Sequence, residues 1–147
     1  MKILIADDEL ASLKIVEKIL IKWGYEVVLA SDGNVAWSLL ENDPSFHIAV
    51  LDWMMPGLDG LEVCRRIRQR NDMPYVAVIV ISARDEQSDM DQGYAAGADD
   101  YLVKPINSAQ LKQRLAVVER VLNMERELRN SNVALSRLVS SLGSKPG

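Results

Sequence analysis

The sequence predicts an α/β domain with a doubly wound, mainly parallel sheet of five strands. Five short apolar segments alternate along the chain with segments whose apolar residues recur at helical spacing, and this alternation is typical of βαβ units. Two of the apolar segments, residues 48–51 and 76–83, contain at most one polar residue, as do strands that are buried on both faces. At 147 residues, the chain has room for one domain and an appendage.

The first half of the chain contains three of the strands and two helices. The strands are residues 2–6, 25–30 and 48–51. The first helix ends at Gly24, and the second begins after the turn at residues 31–33. Each helix has an apolar face that we expect to contact the sheet. The two faces comprise Leu10, Leu13, Val16, Ile19, Leu20 and Trp23, and then Val35, Ala36, Leu39 and Leu40.

The second half supplies the other two strands and three helices. Residues 85–96 form a weaker helix, which Gly93 interrupts, and residues 101–103 form the last short strand. Asn107 or Ser108 caps the final helix. In the third helix, after Gly60, the side chains predicted to face the core are Leu61, Val63, Cys64 and Ile67, and those predicted to face solvent are Arg65, Arg66, Arg68 and Arg70.

Polar residues with complementary chemistry follow the predicted strands. Right-handed crossovers bring the carboxyl ends of parallel strands to one edge of the sheet, where ligands bind in folds of this class. Each residue alone has a simple explanation as a helix cap or a turn residue, but five together indicate a functional site. They are Asp7, Asp8, Asp52, Ser82 and Lys104.

These residue types predict phosphoryl chemistry with a magnesium ion. Crowded carboxylates repel one another and need a cation. Hard oxygen ligands favour Mg²⁺, and the sequence has no cluster of His or Cys for zinc. With Mg²⁺ bound, one carboxylate can act as a nucleophile toward a phosphoryl group. A lysine supplies a second positive charge, and a hydroxyl with a nearby backbone N–H can hold a phosphoryl oxygen.

Residues 1–121 resemble the receiver domains of response regulators in two-component signalling. The resemblance implies the flavodoxin-like strand order 2-1-3-4-5 and a cis peptide bond between Lys104 and Pro105. An acidic pair or a Lys-Pro alone would be a weak signal, but the motifs are highly specific together. They are Asp7-Asp8, Asp52 followed by Met55-Pro56-Gly57 and Asp59-Gly60, Ser82-Ala83 and Lys104-Pro105.

The resemblance also assigns roles to the residues of the site. Asp52 would accept the phosphoryl group from a sensor histidine kinase or a histidine phosphotransfer protein. Asp8, Asp52 and the Met54 carbonyl would bind Mg²⁺ directly, whereas Asp7 would bind it through water. Lys104 would pair with the phosphoryl group. The chain would then catalyse only its own phosphorylation and slow autodephosphorylation.

Further positions match the switch and the surroundings of the site. Ser82 would move to hydrogen-bond the phosphoryl group, together with the Ala83 N–H, and Tyr101 would turn inward as the switch aromatic. An edge-strand tyrosine with an exposed hydroxyl is the alternative for Tyr101. Met54 and Arg84 occupy the variable positions near the site that influence the lifetime of the phosphoryl group in this family. We expect Trp53, beside the site, to report metal or phosphate by its fluorescence.

The chain continues beyond the receiver region with a heptad pattern. Apolar residues recur at alternating spacings of four and three from Val117 to Leu142, and only Ser131 interrupts the series. The pattern predicts that the last helix continues through residues 122–142 and pairs in a homodimer as a parallel coiled coil. A helix lying back on its own domain or a frayed tail is the alternative. Residues 143–147 are expected to be disordered.

The composition fits a cytoplasmic protein. Hydrophobic residues make up 48% and charged residues 26% of the chain, and no apolar run approaches the roughly 20 residues of a membrane span. Cys64 is the single cysteine and cannot form an internal disulfide, and no secretory signal begins the sequence. The net charge of -4 and the lack of a basic face argue against direct binding of nucleic acid.

Two other functions are open on the sequence. The chain could be the receiver part of a larger regulator, whose output domain, such as one that makes or degrades cyclic dinucleotides, followed the helical connector. It could instead be a phosphatase or phosphomutase with an aspartyl nucleophile, of the haloacid dehalogenase type. Such enzymes need a second Asp two residues after the nucleophile, where this chain has Met54. A flavin or nucleotide module is disfavoured because the loops lack a Gly-rich phosphate cradle.

Overall fold

The fold is a five-stranded parallel sheet with helices on both faces, seen in a computed structural model that describes residues 1–143. The strand order is β2-β1-β3-β4-β5, which confirms the flavodoxin-like order. The strands are β1 (Lys2–Ala6), β2 (Glu26–Ala30), β3 (Ile48–Asp52), β4 (Ala77–Ser82) and β5 (Asp100–Val103). The helices are α1 (Leu10–Lys22), α2 (Gly33–Asn42), α3 (Gly60–Gln69), α4 (Gln87–Ala95) and α5 (Ser108–Gly143).

The sheet divides the hydrophobic core into two layers. On one face, α1 and α5 cover the sheet with Leu13, Val16, Leu111 and Leu115, which are all buried. On the other face, α2, α3 and the end of α4 pack against side chains that point the opposite way along the same strands. Every residue of β3 and β4 is buried, as expected of central parallel strands. This rigid centre holds the carboxyl ends of the strands in a fixed arrangement.

Two residues assigned to the apolar helix faces are exposed instead. Leu10 is the first residue of α1 and is 67% exposed, and Val35 lies in the first turn of α2 and is also exposed. Their helical spacing fits the apolar face, but the first turn of each helix extends past the edge of the core. The exposed Leu10 side chain lies at the carboxyl edge of the sheet, beside the polar residues that follow the strands.

The prediction that Arg68 and Arg70 face solvent was wrong. Arg68 donates through Nε to the Gly97 carbonyl (2.9 Å) and through Nη1 to the Val76 carbonyl (2.7 Å). Arg70 donates through Nη1 to the Leu40 carbonyl (2.7 Å). Both side chains lie near the end of α3, where the helix passes the start of β4 and the loops around it. They therefore satisfy carbonyl groups that lie outside the sheet's own hydrogen bonds.

Asp99 completes the network around Arg68. Its carboxylate accepts from Arg68 Nη2 (2.9 Å), from the Tyr75 hydroxyl (2.5 Å) and from the Val78 N–H (2.9 Å). The Arg68 guanidinium also lies over the Tyr75 ring, 4.4 Å from its centroid. Burial and the hydrogen bond to Asp99 raise the pKa of Tyr75 above its ordinary value. The network joins the end of α3, the start of β4 and the α4–β5 loop.

The last helix continues well beyond the sheet, as the heptad pattern predicted. Asn107 is its cap, since its Oδ1 accepts from the N–H groups of Ala109 (2.8 Å) and Gln110 (3.3 Å). At 36 residues α5 is about 54 Å long. The predicted disordered end at residues 143–147 lies outside the described residues, apart from Gly143, where α5 ends. Within residues 1–143, no helix is long and apolar enough to cross a membrane.

Candidate functional site

Three strand ends meet around the Lys104 ammonium group. Lys104 Nζ lies 3.1 Å from Asp7 Oδ2, after β1, and 2.9 Å from Asp52 Oδ2, at the end of β3. Asp7 and Asp52 are buried, and Lys104 is only partly exposed. The register of the parallel sheet brings these residues together although up to 97 positions separate them in the chain. The structure thus places the three charged groups where the sequence predicted a site.

The carboxylates form a group whose oxygen atoms could bind a metal ion. One carboxylate oxygen from each of Asp7, Asp8 and Asp52 lies within 4.8 Å of the others. Asp8 is exposed, so the group opens to solvent on one side. Three carboxylates beside one ammonium group leave an excess of negative charge, and oxygen is the ligand that Mg²⁺ prefers. The donor set therefore fits Mg²⁺, and among residues 1–143 it is the only such group of acidic, His or Cys side chains.

Burial and the neighbouring charges set the protonation states of the site. Burial raises the pKa of Asp52 to about 6, while the hydrogen bond from Lys104 opposes this shift and Asp7 adds to it. Burial alone would lower the pKa of Lys104, but its hydrogen bonds to Asp52 and Asp7 raise it above its ordinary value. At neutral pH, Lys104 is therefore an ammonium group, and Asp52 is an ionised carboxylate in most molecules.

The loop between β3 and α3 folds back over the end of β3. Gly57 has a φ of +75°, which a side chain would strain, and this conformation turns the chain after Pro56. A Cβ atom on Gly60 would lie 2.3 Å from the Asp52 carbonyl oxygen, so only glycine fits where α3 begins. The Met54 N–H donates to Asp52 Oδ1 (3.3 Å) and helps to orient the carboxylate. The motif Met55-Pro56-Gly57 thus positions the nucleophile candidate.

Ser82 and Ala83 lie on the other side of Asp52. Asp52 pairs with Ile81 in the sheet, so Ser82 lies one residue farther along at the end of β4. Ser82 is buried, and its Oγ accepts from the Arg84 N–H (3.1 Å). Its carbonyl accepts from the Lys104 N–H (2.8 Å), and the Lys104-Pro105 bond is cis, as the resemblance implied.

Tyr101 lies inward, so the alternative with an exposed hydroxyl was wrong. The residue is buried, and its hydroxyl donates to the Arg84 carbonyl (2.9 Å). The Trp53 ring meets it edge to face, with centroids 6.4 Å apart, and the Arg84 guanidinium lies 4.7 Å from the Trp53 centroid. A Cβ atom on Gly93 would lie 2.9 Å from the Tyr101 ring. Sequence reasoning missed these contacts, although a glycine inside a helix is a signal of close approach.

An open groove with a volume of about 460 Å³ adjoins the site. Ile15 of α1 is 59% exposed on one wall, and Lys104, Pro105 and Ile106 lie on the other. Ala83 also lines the groove, and the exposed Leu10 lies on the same helix as Ile15. Exposed apolar side chains beside a reactive centre are typical of a surface that binds another protein.

The family of the chain follows from a comparison with known protein families. The family described as response regulator receiver domain matches residues 3–116. The chain belongs to this family. It is a receiver domain of two-component signalling. The matched region contains the sheet, helices α1 to α4 and the start of α5, and the rest of α5 lies beyond it.

Individual relatives agree with this assignment. Response regulator RppA of Synechocystis sp. is 39% identical over 122 residues, which cover 82% of this chain and 51% of that protein. The receiver domain of a Francisella response regulator is 31% identical with a TM-score of 0.75, over 82% of this chain and 98% of that one. A probable response regulator/GGDEF domain protein is 28% identical with a TM-score of 0.77, over 84% of this chain and 50% of that one. The chain spans about half the length of the curated relatives it matches.

Proposed function

We propose that this receiver domain is a Mg²⁺-dependent switch that accepts a phosphoryl group on Asp52 from a histidine kinase or a histidine phosphotransfer protein. The observation that carries the proposal is the position of Lys104 Nζ between the Asp7 and Asp52 carboxylates. A buried nucleophile beside a fixed cation can form an acyl phosphate without leaving the new negative charge unpaired.

The residues divide the work of phosphoryl transfer among them. An oxygen of Asp52 attacks the phosphorus, an acyl phosphate bond forms, and the N–P bond of the phosphohistidine donor breaks as its imidazole leaves. Lys104 pairs with the transferred group, and the Ser82 hydroxyl and the Ala83 N–H donate hydrogen bonds to it. Asp7, Asp8, Asp52 and the Met54 carbonyl would hold Mg²⁺, which neutralises charge on the carboxylates and on the phosphoryl oxygens.

Removal of Mg²⁺ is expected to abolish phosphorylation by acetyl phosphate. Without the cation, the phosphoryl oxygens would face an acidic cluster that has only one ammonium group. Intact-mass spectrometry after incubation with acetyl phosphate, with either Mg²⁺ or EDTA, measures the uptake.

Asp8→Asn should weaken Mg²⁺ binding at least about tenfold. The fluorescence of Trp53 measures this binding. The matched control for this variant is Glu9→Gln, because Glu9 is a neighbouring exposed acid outside the cluster. For the unaltered chain, equal phosphoryl uptake with EDTA and with Mg²⁺ would contradict the metal requirement.

The groove beside the site is proposed to receive the phosphoryl donor. Ile15→Glu should lower the rate of transfer from a histidine kinase about tenfold, because it puts a charge into an apolar contact. Phosphorylation by acetyl phosphate should stay unchanged, since a small donor needs no groove. Ile21→Glu is the control, because Ile21 is 57% exposed at the far end of the same helix. An equal effect of both substitutions on the kinase reaction would place the docking surface elsewhere.

Phosphorylation is proposed to act by a population shift. Ser82 moves toward the phosphoryl group, and Arg84 and Tyr101 adjust with it. The three residues are linked because Ser82 Oγ accepts from the Arg84 N–H and the Tyr101 hydroxyl donates to the Arg84 carbonyl. The face formed by α4, β5 and α5 then changes. The output could belong to a longer protein, since this chain covers 51% of RppA and 50% of the regulator with a GGDEF domain.

A further inference from the structure

The second half of α5 extends from the domain as an isolated helix. From Asn123 to Leu142, every side chain except that of Glu125 is exposed, and Glu125 is only partly buried. A single helix of this length is marginal in water even with good helix-forming residues. The segment also contains Asn130, Ser131 and Asn132, which favour the helix little. Its helical state therefore requires packing that the domain does not provide.

Two apolar stripes run along α5, and only one of them contacts the sheet. The core stripe is buried and comprises Leu111, Leu115, Val118 and Leu122. Val117 and Val121 of the second stripe directly precede Val118 and Leu122 of the core stripe. The second stripe therefore lies about 100° from the core stripe around the helix axis. Its later members are exposed, which leaves a contact surface for another helix. The second stripe comprises Val117, Val121, Met124, Leu128, Leu135, Leu138 and Leu142.

The charges beside the second stripe favour a second copy of the same helix in parallel. With the stripe at heptad positions a and d, Arg120 is at position g and Glu125 is at position e, five residues later. In a parallel, in-register pair, position g of one helix lies beside the following e position of the other. Arg120 of each copy then meets Glu125 of the other. An antiparallel pair that overlaps over the same residues would put these two charges at opposite ends.

The same register explains an apolar residue that lies outside the stripe. Val139 is exposed at position e, and the residue that faces it from a parallel second copy is Ala134 at position g. This pair extends the apolar contact in the last heptads, where Leu135, Leu138 and Leu142 also lie. The polar Ser131 at position d interrupts the contact once, which costs stability but fixes the alignment of neighbouring heptads.

We propose that α5 pairs with α5 of a second copy in a parallel, in-register coiled coil, before as well as after phosphorylation. The core stripe and the second stripe use different faces, so each domain keeps its own packing when the helices pair. Because the helices run in parallel, both Asp52 sites lie toward the same end of the dimer.

The oligomeric state of the full chain tests the proposal. Light scattering after size exclusion should give a dimer for the unaltered, unphosphorylated chain and a monomer for the double variant Leu128→Glu, Leu135→Glu. Val133→Glu is the matched control, because Val133 is 44% exposed at position f, away from the stripe. The control should remain a dimer. A monomeric unaltered chain, a dimeric double variant or a monomeric control would each overturn the coiled coil.

Two further experiments test the parallel register. Arg120→Glu or Glu125→Arg alone should weaken the dimer, and the two together should restore it. Leu142→Cys should form an intermolecular disulfide under mild oxidation, whereas the unaltered chain should not, because Cys64 is buried. Failure of the charge swap to restore the dimer, or of Leu142→Cys to cross-link, would overturn the parallel arrangement.

Discussion

Asp52→Asn is expected to reduce phosphoryl uptake from near completion to background. The amide group of asparagine cannot form the acyl phosphate. The substitution also removes one negative charge from the carboxylates that are proposed to bind Mg²⁺. The side chains have nearly the same shape, so Lys104 can still donate to the oxygen of Asn at this position. The loss should therefore be chemical rather than structural. Intact-mass spectrometry after incubation with acetyl phosphate and Mg²⁺ measures it.

Asp59→Asn is the matched control for this result. Asp59 lies in the same loop and caps α3, since its Oδ1 accepts from the Glu62 N–H (2.8 Å). Asparagine caps helices as well as aspartate does, so the fold should persist and uptake should equal that of the unaltered chain. Normal uptake by Asp52→Asn, with far-ultraviolet circular dichroism showing an intact fold, would refute the assignment of the phosphoacceptor.

Asp99→Ala is expected to lower the free energy of unfolding by about 3 kcal/mol. The substitution removes the acceptor for Arg68, the Tyr75 hydroxyl and the Val78 N–H at once, and it leaves a largely buried guanidinium without its counter-ion. For a domain of this size, the change corresponds to a melting temperature lower by roughly 10 °C. Urea denaturation followed by circular dichroism measures the free energy directly.

Glu62→Ala provides the comparison for Asp99→Ala. Glu62 also pairs with two arginines, Arg65 at 3.3 Å and Arg66 at 3.4 Å, but all three side chains are well exposed. Such surface pairs contribute at most about 1 kcal/mol. If both substitutions changed the free energy of unfolding equally, the Arg68–Asp99 network would have no special role in stability.

The position of the site could be predicted from the sequence because its determinants are local. The strand that ends at Asp52 is an apolar run, and the carboxyl ends of parallel strands meet at one edge whatever the details of packing. The same logic placed Asp7 and Lys104. In the structure, Lys104 Nζ lies 3.1 Å from Asp7 Oδ2 and 2.9 Å from Asp52 Oδ2. The heptad spacing likewise predicted that α5 continues to the end of the described chain.

The errors concern residues whose surroundings come from distant parts of the chain. Helical periodicity placed Arg68 on a solvated face, but the α4–β5 loop and the start of β4 supply carbonyl and carboxylate acceptors there. Periodicity also placed Leu10 in the core, although the core ends before the first turn of α1. Gly93 looked like a weakness in α4, whereas it makes room for the Tyr101 ring. No local pattern contains these contacts.

Borohydride trapping tests the central claim most directly. Reduction of an aspartyl phosphate breaks the acyl phosphate bond and converts the residue to homoserine, which peptide mass spectrometry can locate. After treatment with acetyl phosphate and Mg²⁺, we expect homoserine at residue 52 and at no other acidic position. Homoserine at Asp7, Asp8 or Asp59, with Asp52 unmodified, would contradict the proposed chemistry of the site.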